Sequence, residues 1–268
     1  MQNLPVFDSC PDLIDVQVTD DAVEEVAKHL SGSAGPSGID SSSLSQWLLK
    51  HGGASSNLRK TMAKLVEWLA NSCPPWAAYR ALTWGRLIGL DKCPGVRPVG
   101  IGDMFRRFLC KVLLKITGKE ATRACKTDQL CGGLEAGMEG AMHHMRSLWD
   151  THENDENDWG VLLIDARNAF NEGNRKMMAC IVRHEWPSGS RFLFNMHRHH
   201  SVLVMRGETA SKTVILHSKE GVTQGCPLSM VGYAILMLPM MQLLKIRILK
   251  LPQCGMLTME MSQVIFQQ

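Results

Sequence analysis

Three places in this chain combine residue types and spacings suited to chemistry. The first is Asp165, which directly follows Val161-Leu162-Leu163-Ile164. Four consecutive apolar residues read as a strand buried on both faces, so the carboxylate stands at the end of a buried strand. An unpaired buried charge is strongly unfavourable. The group must reach solvent, pair with Arg or Lys, or bind a cation. Magnesium takes oxygen ligands, typically one or two protein carboxylates together with substrate phosphates. Asp165 is therefore a candidate metal ligand, or else the helix cap or turn residue for which Asp at a strand end more often serves. The second place is Gly221-Val222-Thr223-Gln224-Gly225-Cys226-Pro227-Leu228-Ser229. Its glycines let backbone approach a ligand closely, and Gln224 both donates and accepts hydrogen bonds. The same string also reads as a tight turn that starts a helix. The third is Leu90 to Pro98, which sets Lys92 and Arg97 on one loop. They suit a phosphate, Arg as a fork and Lys as a point charge, or they are two solvated surface cations.

The elements that must position these groups follow from periodicity and punctuation. An acidic patch (Asp20, Asp21, Glu24, Glu25) precedes a Gly/Ser/Pro loop over residues 31–39. A helix is predicted from Ser41 to about His51, with Leu44, Trp47 and Leu48 on one face and Gly52–Gly53 as its stop. A second helix starts at Ser55 or Ser56, carries Leu58, Met62, Leu65, Val66 and Leu69 at helical spacing, and ends at Pro74–Pro75. Residues 91–102 read as loop and short extended segments. Further helices are expected from about Asp103, its cap, to Thr117, from Leu134 to Trp149, and after Glu172. The acidic run at 151–158 reads as a solvated loop. Ser201–Arg206 and Lys212–His217, separated by a polar segment, form a hairpin pattern. An apolar helix then runs from the 221–227 turn to about Leu249, with a kink expected at Pro239. Helices first, then strands mixed with helices, argue an α+β fold without internal repeats.

Composition narrows the function only slightly. The 268 residues leave room for one large domain or two small ones. A formal net charge of +3 does not by itself require a nucleic-acid partner. The nine cysteines form no CxxC pair and no zinc-finger spacing with histidine, which points to reduced thiols of an intracellular protein, nuclear or cytoplasmic. His197, His199 and His200 cluster, as metal ligands or as a polar helix end. The N-terminus lacks the basic start and apolar core of a signal peptide. The most apolar stretch, Val231 to Leu244, is shorter than the roughly 20 residues that span a bilayer, so a buried helix and no membrane are expected.

The order of the three places along the chain is more specific than any one of them. AGPSG at 34–38, LDKCPGVRPVGIGDMFRR at 90–107, QLCGGLEAGMEGAMHHM at 129–145, LLIDARNAFNE at 162–172 and EGVTQGCPLSM at 220–230 resemble successive blocks of reverse transcriptases, RNA-directed DNA polymerases of the non-LTR-retroelement type. The resemblance runs from residue 31 to 245. It implies fingers and a partial palm of a right-hand polymerase: an N-terminal extension at 1–30, mostly helical fingers at 31–140, partial palm at 141–250 and a divergent tail at 251–268. It further implies that Asp165 binds two Mg²⁺ ions, helped by the carbonyl of Ala166. Phe170 would gate the incoming sugar, Gln224 and Gly225 would line the nucleotide and template pocket, and Arg97 and Lys92 would hold the triphosphate. RNA template, DNA primer and dNTP are the implied partners.

One part of that pattern is missing. Family members carry an aromatic-x-Asp-Asp hairpin after the T-Q-G helix. Between Cys226 and Gln268 this chain has no Asp, and Glu260 is its only Glu. One carboxylate does not balance two dications about 4 Å apart. The expectation is a chain truncated or frame-shifted before the second motif, with an incomplete palm sheet, no thumb and deficient activity. Alternatives are an inactive fragment that binds RNA or RNA–DNA hybrid through Arg106, Arg107, Lys111, Lys115, Lys119, Arg123 and Lys126, or a fragment with no function.

Overall fold

The computed structural model describes residues 7, 9–91, 93–125, 128–130, 132, 136–153, 169–207, 209, 212–223 and 225–248. The strand expected at 161–164 lies outside them. The described chain is α+β, with helices packed into one core and a four-stranded mixed sheet.

The first helices are started by side chains that cap their free backbone N–H groups. In α1 (Asp20–Lys28) the Thr19 hydroxyl accepts from Ala22 N at 3.3 Å. In α2 (Ser41–Leu49) Asp40 accepts from Ser43 N at 2.8 Å. The acidic patch is consumed on α1: Glu24 pairs with Lys28 at 2.7 Å and Arg59 at 3.0 Å, and Glu25 pairs with Lys115. Val23 and Ala27, on the opposite side of α1, are fully buried. Ahead of α1 the backbone of Val16 makes two hydrogen bonds with the Asn71 amide, and Val18 N donates to Glu67 at 2.9 Å. Residues 16–28 are thus built into the core.

Gly52–Gly53 does not stop a helix; it begins α3 (Gly52–Asn71). Gly52 takes a positive φ of 52°, open to glycine, which lets the chain reverse within two residues of α2. Buried Ser55 then ties the corner, accepting from His51 N at 2.8 Å and donating to Trp47 O at 2.7 Å. The turn also rotates α2, so Leu44 and Leu48 face the core while Trp47 is 45% exposed.

After a short helix α4 (Trp76–Tyr79) and a 3-10 turn at Arg80–Thr83, β1 (Gly85–Asp91) and β2 (Val96–Gly102) form an antiparallel hairpin that pairs Gly85 with Gly102 and Leu90 with Arg97. Residues 91–102 are therefore strand rather than loop for most of their length. Asp103 caps α5 (Met104–Cys125) as expected, its Oδ1 accepting from Phe105 N at 3.0 Å, and the helix extends beyond Thr117. Next come α6 (Gly137–His152), α7 (Ala169–Glu172), α8 (Arg175–Glu185, capped by Asn174) and α9 (Pro187–His197). Trp186, fully buried, fills the α8–α9 corner. The hairpin expected at 201–217 is β3 (Ser201–Met205) with β4 (Val214–Ser218), in register Ser201 to Ser218.

Parallel pairing of β1 with β3 gives the sheet order β2-β1-β3-β4. Sheet and core both run across residue 140. The sheet's outer part stands in solvent, with Val214, Ile215 and Leu216 of β4 all exposed. Finally α10 (Pro227–Ile248), which contains Pro239, packs on α5 and α8. Among the described residues it is the one helix long and apolar enough to cross a membrane, and 50% of that window is buried in the structure.

The rotation of α2 is testable. Leu48→Ala is expected to cost about 2–5 kcal/mol in urea unfolding, the range for a buried leucine, whereas Trp47→Ala stays within about 0.5 kcal/mol of wild type. Similar losses from both would show that the Trp47 face is buried.

Candidate functional site

The turn before α10 is held from below. Gly221 N donates to Gly173 O at 2.7 Å, and Val222 N donates to Phe170 O at 2.6 Å. Gly221 has a φ of +66°, and a Cβ there would lie 2.2 Å from Phe170 O and 2.3 Å from Asn171 C. Only glycine fits that backbone. The Phe170 ring packs against Tyr233 of α10 with centroids 5.1 Å apart.

The top of the turn meets the β1–β2 hairpin. A Cβ on Gly100 would lie 2.7 Å from Thr223 Cγ2, and one on Gly225 would lie 3.6 Å from Gly100 O. Gly225 itself has a φ of +85°. Thr223 O closes the turn, accepting from Cys226 N at 3.1 Å and from the Ser229 hydroxyl at 2.7 Å. The start of α5 is tied in as well: Ser37 N donates to Asp103 Oδ2 at 3.0 Å, and a Cβ on Gly35 would meet Asp103 Cα at 2.5 Å.

Of the residues singled out for chemistry, Phe170 and Gly225 are therefore brought together through the turn. Arg97 sits on β2 opposite Leu90, where its backbone alone is described. Lys92, Asp165, Ala166 and Gln224 lie outside the described residues. Among the described residues no three His, Cys, Asp or Glu side chains gather as metal ligands. The three clustered histidines separate: His197 is buried, His199 packs on Trp76 at 4.7 Å, and His200 packs on His217 at 4.8 Å.

The basic positions on α5 divide: Lys119 and Arg123 are exposed, and Lys126 lies outside the described residues. Arg106 is 3% exposed, Arg107 donates to Ser33 O, and Lys115 pairs with Glu25.

The buried charges are what sequence reasoning missed. Arg175 Nε donates to Gly221 O at 2.7 Å, Nη1 to Ser218 O at 3.0 Å and His199 O at 3.1 Å, and Nη2 to the Ser218 hydroxyl at 2.9 Å. Its backbone N donates to Glu220 at 3.1 Å. Burial pulls this guanidinium below its ordinary range, and Glu220 opposes the shift. The signal was present in the spacing: Arg175, Met178 and Val182 share one helical stripe, so the cation heads an apolar face. Arg106 heads a comparable stripe with Leu109, Cys110 and Leu113. It gives one bond, Nη1 to Thr83 O at 3.2 Å, while its Nε and Nη2 have no partner among the described residues. Near it are the Tyr79 hydroxyl, pushed up chiefly by burial, and His197, pulled down to about 3 by burial and then by Arg175 and Arg106.

No family model matches this sequence, and a search of the curated proteins finds no match.

Two outcomes follow from this geometry. Gly221→Ala is expected to destabilise the fold by more than about 2 kcal/mol in urea unfolding, because it combines left-handed strain with backbone overlap. A change within about 0.5 kcal/mol would mean that the turn is not held against Phe170. For His197, the folded pKa lies below the unfolded value, so the unfolded chain takes up the proton first. Stability therefore falls as pH drops below about 6.5, by up to about 1.4 kcal/mol per unit, until the folded pKa near 3. His197→Asn removes that slope, which a comparison of urea midpoints across the pH range reads directly.

Proposed function

We propose that this chain is the fingers and part of the palm of a reverse-transcriptase-like domain, one that holds an RNA template or RNA–DNA hybrid without extending a primer by itself. The observation that carries this reading is a convergence. The blocks at 90–107, 162–172 and 220–230 are far apart in sequence, yet described residues of each meet around the turn before α10, and the 34–38 block adjoins the first of them at Gly102 and Asp103. Blocks that resemble one nucleotide site in sequence and adjoin one another in space are what a nucleotide-binding corner requires.

In this reading the β1–β2 hairpin carries Arg97 and Lys92 toward a triphosphate or a backbone phosphate. Arg supplies the bidentate fork and Lys the point charge. Phe170, fixed between the turn and Tyr233, lies under the sugar and crowds a 2′-hydroxyl. Gln224 and Gly225 are the residues proposed to line the nucleotide and template pocket. Asp165 and the Ala166 carbonyl are the groups proposed for magnesium, which in such enzymes stabilises the attacking and leaving oxygens. The stretch from Cys226 to Gln268 supplies no Asp, with Glu260 its only carboxylate side chain, so the residues present do not make up a two-cation site.

Fluorescence anisotropy on a labelled RNA–DNA hybrid over a salt series tests the proposal. Binding should weaken linearly in log–log form, and Arg97→Ala and Lys92→Ala should each lower the slope by about one phosphate's worth, roughly 0.7–0.9. Binding that is absent at low salt, or unaffected by salt, would sink it. In primer extension on an RNA template with Mg²⁺ or Mn²⁺, no incorporation is expected. Incorporation lost in Asp165→Asn would overturn the assignment of inactivity while sustaining the family reading.

A further inference from the structure

Two cysteines lie buried behind the turn. Cys110 lies in the second turn of α5 and is fully buried, and Cys226, 7% exposed, immediately precedes α10. They are 116 positions apart in sequence, yet their sulfurs are 4.0 Å apart, in contact but unbonded. Arg106, one helical turn before Cys110, is a buried cation with free donors. Among the described residues no carboxylate forms an ion pair with it. A buried cation of this kind favours an anionic acceptor beside it. The sulfur pair offers one: burial pushes the Cys110 thiol up, whereas a hydrogen bond from Cys110, the Arg106 charge and the Leu228 N–H draw Cys226 down.

We propose that Cys110 and Cys226 form a dithiol modification site that exchanges with a low-molecular-weight disulfide and closes to an intramolecular disulfide, pinning the turn before α10 to α5. The Cys226 thiolate attacks one sulfur of the oxidant, forming a mixed disulfide and releasing the first thiolate. Cys110 then gives its proton to solvent, attacks Cys226 Sγ and expels the second thiolate. Counted from this thiolate–thiol pair, the cysteines lose two electrons and one proton; the oxidant takes up the two electrons and, with a second proton from solvent, leaves as two thiols. The resolving thiol is already in contact with the attacking sulfur, and the remaining requirement, access of the oxidant, is met at Cys226, the less buried of the two, when the turn opens.

The test is incubation of the reduced full chain with glutathione disulfide, followed by non-reducing proteolysis and mass spectrometry. The peptides carrying Cys110 and Cys226 should be linked, two hydrogens lighter than their sum, with no glutathione on either. The link should persist when exposed Cys10, Cys73, Cys93 and Cys180 are replaced by Ser. Cys110→Ser should leave Cys226 trapped as the glutathione adduct, whereas Cys226→Ser should leave Cys110 unmodified. The oxidised chain should show a higher urea midpoint, because the link closes a long loop in the unfolded state. Wild-type Cys110 and Cys226 that remain thiols while exposed cysteines carry glutathione would overturn the proposal. So would either one linked to a different cysteine, or a midpoint that does not rise. None of these readouts involves nucleic acid, so they stand or fall separately from the functional reading.

Discussion

The Arg175 guanidinium is the interaction on which the arrangement of the site depends. Ordering a charged group away from water costs several kcal/mol unless its donors are met. Here four side-chain bonds reach three backbone carbonyls and a hydroxyl, belonging to His199 ahead of β3, the end of β4 and the turn that follows. None of those segments can shift without leaving a buried donor unpaired. The clamp fixes Gly221 O, the neighbouring contacts fix Gly221 N on Gly173, and the residue between is forced into a conformation only glycine holds. From there the constraint passes through Val222 to Phe170 and through Thr223 to Gly100, so one cation sets where helix, hairpin and turn meet.

Legibility in the sequence followed how local the determinant was. Asp103 was readable as a cap because a cap acts within three residues of itself. The β3–β4 hairpin was readable because two β-rich runs flank a polar turn. β1 was not: Gly85-Arg86-Leu87-Ile88-Gly89-Leu90-Asp91 has glycines at both ends of its apolar stretch and no clean alternation, and its identity comes from pairing with β2 and β3. Gly52–Gly53 illustrates the same limit. Glycine marks a break in helical geometry, but whether the break ends one helix or begins the next depends on the tie made by Ser55 with Trp47 and His51.

The candidate site divides along the same line. The order of the blocks was visible, and so were Phe170 and Gly225 as residues of interest. Their attachment to one turn was not, because it depends on the bond from Val222 N to Phe170 O, which joins residues well separated in sequence. Asp165 and Gln224, the residues from which the functional reading began, lie outside the described residues. The support for that reading accordingly comes from their flanks: Phe170 beside the one and Gly225 beside the other.

Charge was the least legible property, and the two buried arginines show why. Residue type alone assigns an arginine to the surface, where most are found. Arg175 and Arg106 both depart from that expectation at the head of apolar stripes, but they differ in saturation. Arg175 spends its donors on backbone, so it is fully explained as a scaffold. Arg106 gives one bond to Thr83 O and keeps buried donors free amid Tyr79, His197 and two sulfurs. A saturated guanidinium lowers the energy of one backbone arrangement and does nothing else. An unsaturated one favours an anionic neighbour, and beside Arg106 the Cys226 thiol is drawn down by the hydrogen bond from Cys110 and by that charge. The structural role of the first cation and the chemical character of the second thus follow from a single difference, the number of carbonyls within reach.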